Sequence, residues 1–250
     1  MIDAISSVAG PDAVLWLSTG ALLAGIVRGF TGFGTAMVYL PVAAQFLTPF
    51  EALTTLLIMD LTGPLIHVRR ALRDGQTGDV ARLGAGAILA LPLGVWVLSL
   101  VPPEVFRWTI SIAALVLLAL LARGIRYRGT LGPRMIFGTG ALGGFMAGST
   151  GLPGPPVIML YMASSLPVTA IRANLMLYLI LSDVLMLAVL GVSGYLVATA
   201  VMLGALMILP YTFGNWVGAR LFRPEAERYY RLTAYAIIAG SALSGLPVWD

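Results

Sequence analysis

The sequence predicts an all-α polytopic integral membrane protein made of two homologous halves in an inverted-topology repeat. About eight to ten membrane segments are expected, two of them broken or re-entrant. Three observations carry this. The 250 residues are 59% hydrophobic and 10% charged, with a mean hydropathy of +0.93, whereas a soluble domain carries roughly 25% charged residues. Two long apolar stretches are interrupted by short runs of Gly, Thr or Ser, and Pro. Each interruption stands at the head of one half, with Gly-x-x-Gly at the same place in both.

Fifteen basic and eleven acidic side chains cannot coat a globule of this size, so lipid must cover much of the surface. The pI near 9.7 does not point to nucleic acid, because the basic residues fall in short clusters between apolar segments. The absence of cysteine excludes disulfides, thiolate metal sites and Cys catalysis. The single histidine, His67, cannot build a histidine metal cluster and reads as an interfacial residue, so neither a metal nor a cofactor is expected. The first ten residues lack a basic region and contain Asp3, unlike a cleavable signal peptide.

Apolar runs place the elements in order. Val14–Val27 leads into the first break, Arg28-Gly29-Phe30-Thr31-Gly32-Phe33-Gly34, and Thr35–Leu47 follows it. Ala52–Ile66, Leu83–Val101 and Val105–Ala122 complete the first half. The second half repeats the plan with Met135–Ala147, the break from Gly148 to Pro156, then Val157–Leu166, Ala173–Val192, Tyr195–Val217 and Leu232–Val248. The pieces flanking the breaks fall short of the roughly 20 residues a full crossing needs, so half-helices and short tilted crossings both remain open.

Landmarks recur in the same order in both halves. Gly25, Gly29 and Gly32 match Gly144, Gly148 and Gly151, and Glu51-Ala52 matches Arg172-Ala173. Pro92 with Gly94 corresponds to Pro210 with Gly214, and Pro103-Glu104-x-x-Arg107 to Pro224-Glu225-x-x-Arg228. The organisation is therefore an N-terminal repeat over 1–124, a basic connecting loop over 125–134 and a C-terminal repeat over 135–250. Arginines cluster at Arg69, Arg70 and Arg73, at Arg123, Arg126, Arg128 and Arg134, and at Arg220, Arg223, Arg228 and Arg231. The positive-inside rule puts these clusters in the cytoplasm. If the broken elements make no net crossing, both termini are periplasmic and the repeat is inverted. If each break is one continuous crossing, the repeat is parallel.

Ionisable groups at membrane depth are costly and mark function or a compensating partner. Asp60 and Asp183, on equivalent segments, are candidates for a coupling proton or cation, or else are structural carboxylates. Arg28 would hold an anion in a bidentate fork, or pair with Asp60 or Asp183, or snorkel. Thr31, Ser149 and Thr150 offer hydroxyls beside exposed backbone at Gly29, Gly32, Gly34, Gly151 and Gly154. Thr35–Leu47 and Val157–Leu166 start just after the breaks and would aim their N-terminal N–H groups at an anion. The competing reading is tight helix packing through Gly25-x-x-x-Gly29 and Gly144-x-x-x-Gly148. Asn174 completes the candidate substrate set. Arg172 beside it reads as a snorkelling residue. Trp16, Trp96, Trp108, Trp216 and Trp249 read as interface anchors.

The Gly-rich opening of each half, the Glu51-Ala52 and Arg172-Ala173 helix starts and the Pro-Glu-x-x-Arg loops resemble the sulfite exporter TauE/SafE family of membrane permeases. The resemblance spans essentially the whole chain and rests on the order of the motifs. It departs at Arg28 and Thr31-Gly32-Phe33-Gly34, where the family often has a plainer Gly run. It implies movement of sulfite, small organosulfonates or other sulfur-containing anions across a bacterial inner membrane. The expected partners are lipid, a small anionic substrate, a coupling proton or sodium ion, and a second copy of the chain as a homodimer. The expected mechanism is alternating access, with substrate near the midplane between the breaks. The rivals are an anion channel, a transporter of an unrelated anion or metabolite, and a non-transporting scaffold. No catalytic constellation supports an enzyme.

Overall fold

The computed structural model describes residues 10–63, 68–123, 131–161, 164, 166–221 and 227–248. His67, Arg126, Arg128, Arg223, Pro224, Glu225, Trp249 and the first nine residues, on which expectations also fell, lie outside the described residues. Every regular element among the described residues is an α-helix. They are α1 (Pro11–Thr31), α2 (Thr35–Ala43), α3 (Pro49–Asp60), α4 (Val68–Asp74), α5 (Thr77–Ser99), α6 (Pro103–Ala122), α7 (Pro133–Thr150), α8 (Gly154–Tyr161), α9 (Val168–Val192), α10 (Ala198–Leu221) and α11 (Glu227–Ser244).

Five of these, α1, α5, α6, α9 and α10, are long and apolar enough to cross a bilayer. Only 28–39% of their apolar windows is buried within the chain. The remainder points outward, with Leu89, Leu93 and Trp96 on α5 and Leu209, Phe213 and Trp216 on α10. Apolar faces of that extent require a non-aqueous surrounding. The chain is a multi-pass helical membrane protein. Trp16, Trp96, Trp108 and Trp216 face outward within about two turns of their helix ends. Arg220 lies over the Trp216 ring at 4.3 Å, as a cation and an aromatic side chain do at a lipid–water interface.

Both breaks are shorter than the sequence suggests. α1 continues through Arg28, Gly29 and Phe30, and only Gly32, Phe33 and Gly34 leave the helix. Gly32 ends α1 at φ 78°, its N–H returning to the Arg28 carbonyl at 2.7 Å, and Gly34 opens α2 at φ 95°. Left-handed φ is open to glycine and strained for nearly every other residue. In the second break α7 runs to Thr150 and Gly151 caps it at φ 71°. Pro155 and Pro156 sit in the first turn of α8, where a missing N–H breaks no helical hydrogen bond. The helices before the breaks are therefore long, 21 and 18 residues, and those after them short, 9 and 8.

The chain forms two compact units, and each draws helices from both sequence halves. One holds Met1–Asp60, Pro102–Ala122 and Gly194–Asp250; the other holds Leu61–Val101 and Arg123–Ser193. In the first unit α1 packs most extensively against α10, and in the second α7 against α5. Glycines make both approaches possible. A Cβ on Gly25 would lie 2.2 Å from the Tyr211 carbonyl oxygen, and one on Gly148 would lie 2.3 Å from that of Leu91. Gly94 packs on Gly148 in the second unit as Gly218 packs on Gly29 in the first.

α3 starts at a capping box. The Glu51 carboxylate accepts from the Thr48 N–H at 2.9 Å and from the Thr48 hydroxyl at 2.7 Å. Arg172, the Glu51 counterpart in the repeat reading, is exposed and cannot accept such bonds. Glu51→Ala is expected to lower stability by about 1 kcal/mol without changing transport. Unfolding of purified protein in detergent, alongside flux in liposomes, checks both parts.

Candidate functional site

Four side chains meet in the first unit where three helix ends converge on α10. Arg28 stands in the last turn of α1, Thr35 is the first residue of α2, Asp60 is the last of α3, and Tyr211 lies within α10. Arg28 Nη1 donates to Asp60 Oδ2 at 2.8 Å and to Thr35 Oγ1 at 3.3 Å. Thr35 Oγ1 donates to Asp60 Oδ1 at 3.2 Å, and the Tyr211 hydroxyl donates to the same oxygen. Thr35 and Tyr211 also lie within 3.5 Å of each other. The Arg28 and Asp60 side chains retain only 12% and 11% exposure, so this is a largely desolvated ion pair.

The surrounding helices explain why each charge is tolerated. Arg28, near the C-terminus of α1, faces that helix's negative end. Asp60 sits at the unfavourable C-terminus of its own helix but reaches the N-terminus of α2 through Thr35, where negative charge is favoured. Gly34 at the N-cap makes no side-chain hydrogen bond, and the first N–H groups of a helix, here those of Thr35, Ala36 and Met37, have no intrahelical acceptor. The packing of Gly25 on the Tyr211 backbone brings α10 close enough for the phenol to join the set.

The second short helix is different. A helix start leaves about four N–H groups without intrahelical partners. At α8 these belong to Pro153, Gly154, Pro155 and Pro156, and proline has no N–H. Gly154 alone retains a donor, so the start of α8 has fewer backbone N–H groups to offer than that of α2. Among the other expected residues, Thr31 Oγ1 donates to the Val27 and Phe33 carbonyls at 2.9 and 2.7 Å and accepts from the Phe33 N–H at 3.2 Å. Ser149 and Thr150 each donate to a carbonyl four residues back, Phe145 and Met146, both at 2.8 Å. These three hydroxyl protons are committed to backbone.

Gly29 is enclosed by α10, where an added Cβ would lie 2.5 Å from the Asn215 carbonyl oxygen, so its role is helix approach. Gly32 faces open space, Gly34 touches Val27, and Gly151 serves the cap of α7. Asn174 is fully buried in the second unit, and its Oδ1 accepts the Gln76 N–H at 2.6 Å at the start of α5. Asp183, buried in α9, belongs to the second unit and has interactions of its own. Of the readings open for Arg28, the structure realises the pairing with Asp60. Thr35 and Tyr211 were missed by sequence reasoning. Their signals were a hydroxyl at the first helical position after the break and a tyrosine beside Pro210 in an apolar span.

Fold and site define a helical membrane protein with a buried Arg28–Asp60 pair held by the Thr35 and Tyr211 hydroxyls at the start of α2. The sequence pattern of the sulfite exporter TauE/SafE family matches residues 17–245. The chain belongs to that family, and membership implies a membrane transporter or exporter of sulfur-containing anions. Neither the curated proteins nor the solved structures contain a match to it.

Proposed function

We propose that the chain is a secondary transporter of a small sulfur oxyanion, sulfite or an organosulfonate, in a bacterial inner membrane. The anion binds at the N-terminus of α2, held by the Thr35, Ala36 and Met37 N–H groups and by Arg28. The observation that carries this is a guanidinium meeting a helix N-terminus, both chemically suited to an oxyanion. Asp60 is the coupling carboxylate, and Asp183 is assigned no part in substrate capture. Access alternates by movement of the helices around this site.

The repeat reading gives the site an asymmetric ancestry. Aligning Gly25 with Gly144 sets Ala147 opposite Arg28, Gly154 opposite Thr35 and Ala87 opposite Tyr211. One copy has kept or gained the polar centre and the other is apolar there, so a single anion site per chain is expected. Two candidate spans, α5 and α6, separate the Arg73 cluster from Arg123. An even number of crossings between these two clusters supports placing both in the cytoplasm.

Liposomes containing the purified protein provide the test. Saturable, exchange-competent uptake of sulfite, thiosulfate or isethionate is expected under an imposed pH or sodium gradient. No movement of any of them under either gradient would sink the proposal, and flux that does not saturate would reassign the chain as a channel.

A further inference from the structure

We propose that an anion reaching Arg28 displaces Asp60, and that Asp60 takes up a proton as it leaves, so that each anion loads together with one proton. The inference rests on the anion site proposed above and adds the means of coupling. Arg28 Nη1 is already shared between Asp60 Oδ2 and Thr35 Oγ1. An oxyanion at the start of α2 therefore competes with Asp60 for the same donor. Two anions beside one guanidinium in a largely desolvated place repel strongly, and the repulsion ends only if one is excluded or neutralised.

The hydrogen bonding favours neutralising Asp60. The partners of its Oδ1 are hydroxyls, Thr35 from α2 and Tyr211 from α10, while the charged donor, Arg28 from α1, holds Oδ2. Amide or ammonium donors would serve only the carboxylate. Hydroxyls donate to the carboxylate and accept from the carboxylic acid, so a protonated Asp60 finds its partners in place after rotation of an O–H. The proton comes from bulk water and converts the carboxylate to the acid. Arg28 keeps its own proton, and the anion stays ionised. For a monoanion the loaded site carries the same net charge as the empty one. Transport is then electroneutral, driven by the pH and anion gradients and indifferent to membrane potential.

Calorimetric titration of detergent-purified protein with isethionate and with sulfite, in buffers of different ionisation enthalpy, counts the protons taken up, with the free ligand's own protonation subtracted. About one proton per anion is expected, and affinity should weaken by about tenfold per pH unit on the alkaline side. Asp60→Asn should bind the anion with little pH dependence, more tightly than wild type at alkaline pH, and should lose flux driven by a pH gradient. Binding by wild type without proton uptake overturns the inference and leaves the transport reading standing. An Asp60→Asn variant with the wild-type pH dependence also overturns it. Absence of binding to either anion overturns both readings. If Asp60→Asn fails to fold, the wild-type proton count decides.

Discussion

Replacing Arg28 with Met is expected to abolish anion transport and to lower stability by about 3 kcal/mol, the lower end of the cost of breaking a buried ion pair. The stability loss does not measure what the pair contributes. It arises because Asp60, 11% exposed, is left with a charge that only Thr35 and Tyr211 hydroxyls partly satisfy. Asp60→Leu should destabilise for the mirror reason, by taking the carboxylate partner from the guanidinium at the end of α1. The double variant Arg28→Met with Asp60→Leu removes both charges and fills the volume with apolar atoms. Apolar replacement of a whole buried pair is often neutral or stabilising. Stability should therefore return to within about 1 kcal/mol of wild type while transport stays absent. Unfolding in detergent and flux in liposomes, measured on the three variants, separate a structural pair from a functional one. If the stable double variant transported normally, the pair would be a packing device and the anion site would have to lie elsewhere.

The sequence announces the class of the protein more clearly than its centre. Low charge and long apolar runs dictate helices in lipid, and the Thr-Gly-Phe-Gly and Gly-Leu-Pro interruptions mark where helices end. The limits of those interruptions were harder to read, because glycine serves two purposes here. Gly25 and Gly29 lie inside α1 and let α10 approach, whereas Gly32 and Gly34 supply the left-handed turns that end one helix and start the next. Spacing alone does not distinguish the two. The pairing of Arg28 with Asp60 could be anticipated, since intramembrane charges seek each other. Tyr211 could not, because it joins Asp60 across 151 residues through a helix contact that no apolar periodicity specifies. The missing donors of α8 are legible in Pro153, Pro155 and Pro156, since proline has no N–H.

Gly29→Leu and Gly148→Leu should be among the most damaging substitutions outside the polar centre, and each should exceed the roughly 1–3 kcal/mol typical of overpacking. On Gly29 the first added carbon alone would lie 2.5 Å from the Asn215 carbonyl oxygen and 2.6 Å from the Ala219 nitrogen. On Gly148 it would lie 2.3 Å from the Leu91 carbonyl oxygen and 2.6 Å from the Val95 nitrogen. The obstructing atoms are helix backbone and cannot swing aside as a side chain would, so the paired helices must separate. In lipid that separation is costly because helix association depends on close van der Waals contact, the surrounding acyl chains being as apolar as the helices. Gly138 and Gly240, with nothing within 4 Å of an added carbon, should accept Ala with a change below about 0.5 kcal/mol. The two damaging variants should also differ in what survives. Gly29→Leu pushes α1 from α10 and withdraws Tyr211 from Asp60, so anion binding falls together with stability. Gly148→Leu disturbs α5 and α7 in the other unit, which holds none of Arg28, Thr35, Asp60 and Tyr211. At a temperature where that variant remains folded, its anion affinity should stay within about threefold of wild type. Calorimetric binding and detergent unfolding on both variants check this, and equal loss of binding in the two would refute the placement of the anion site in the first unit alone.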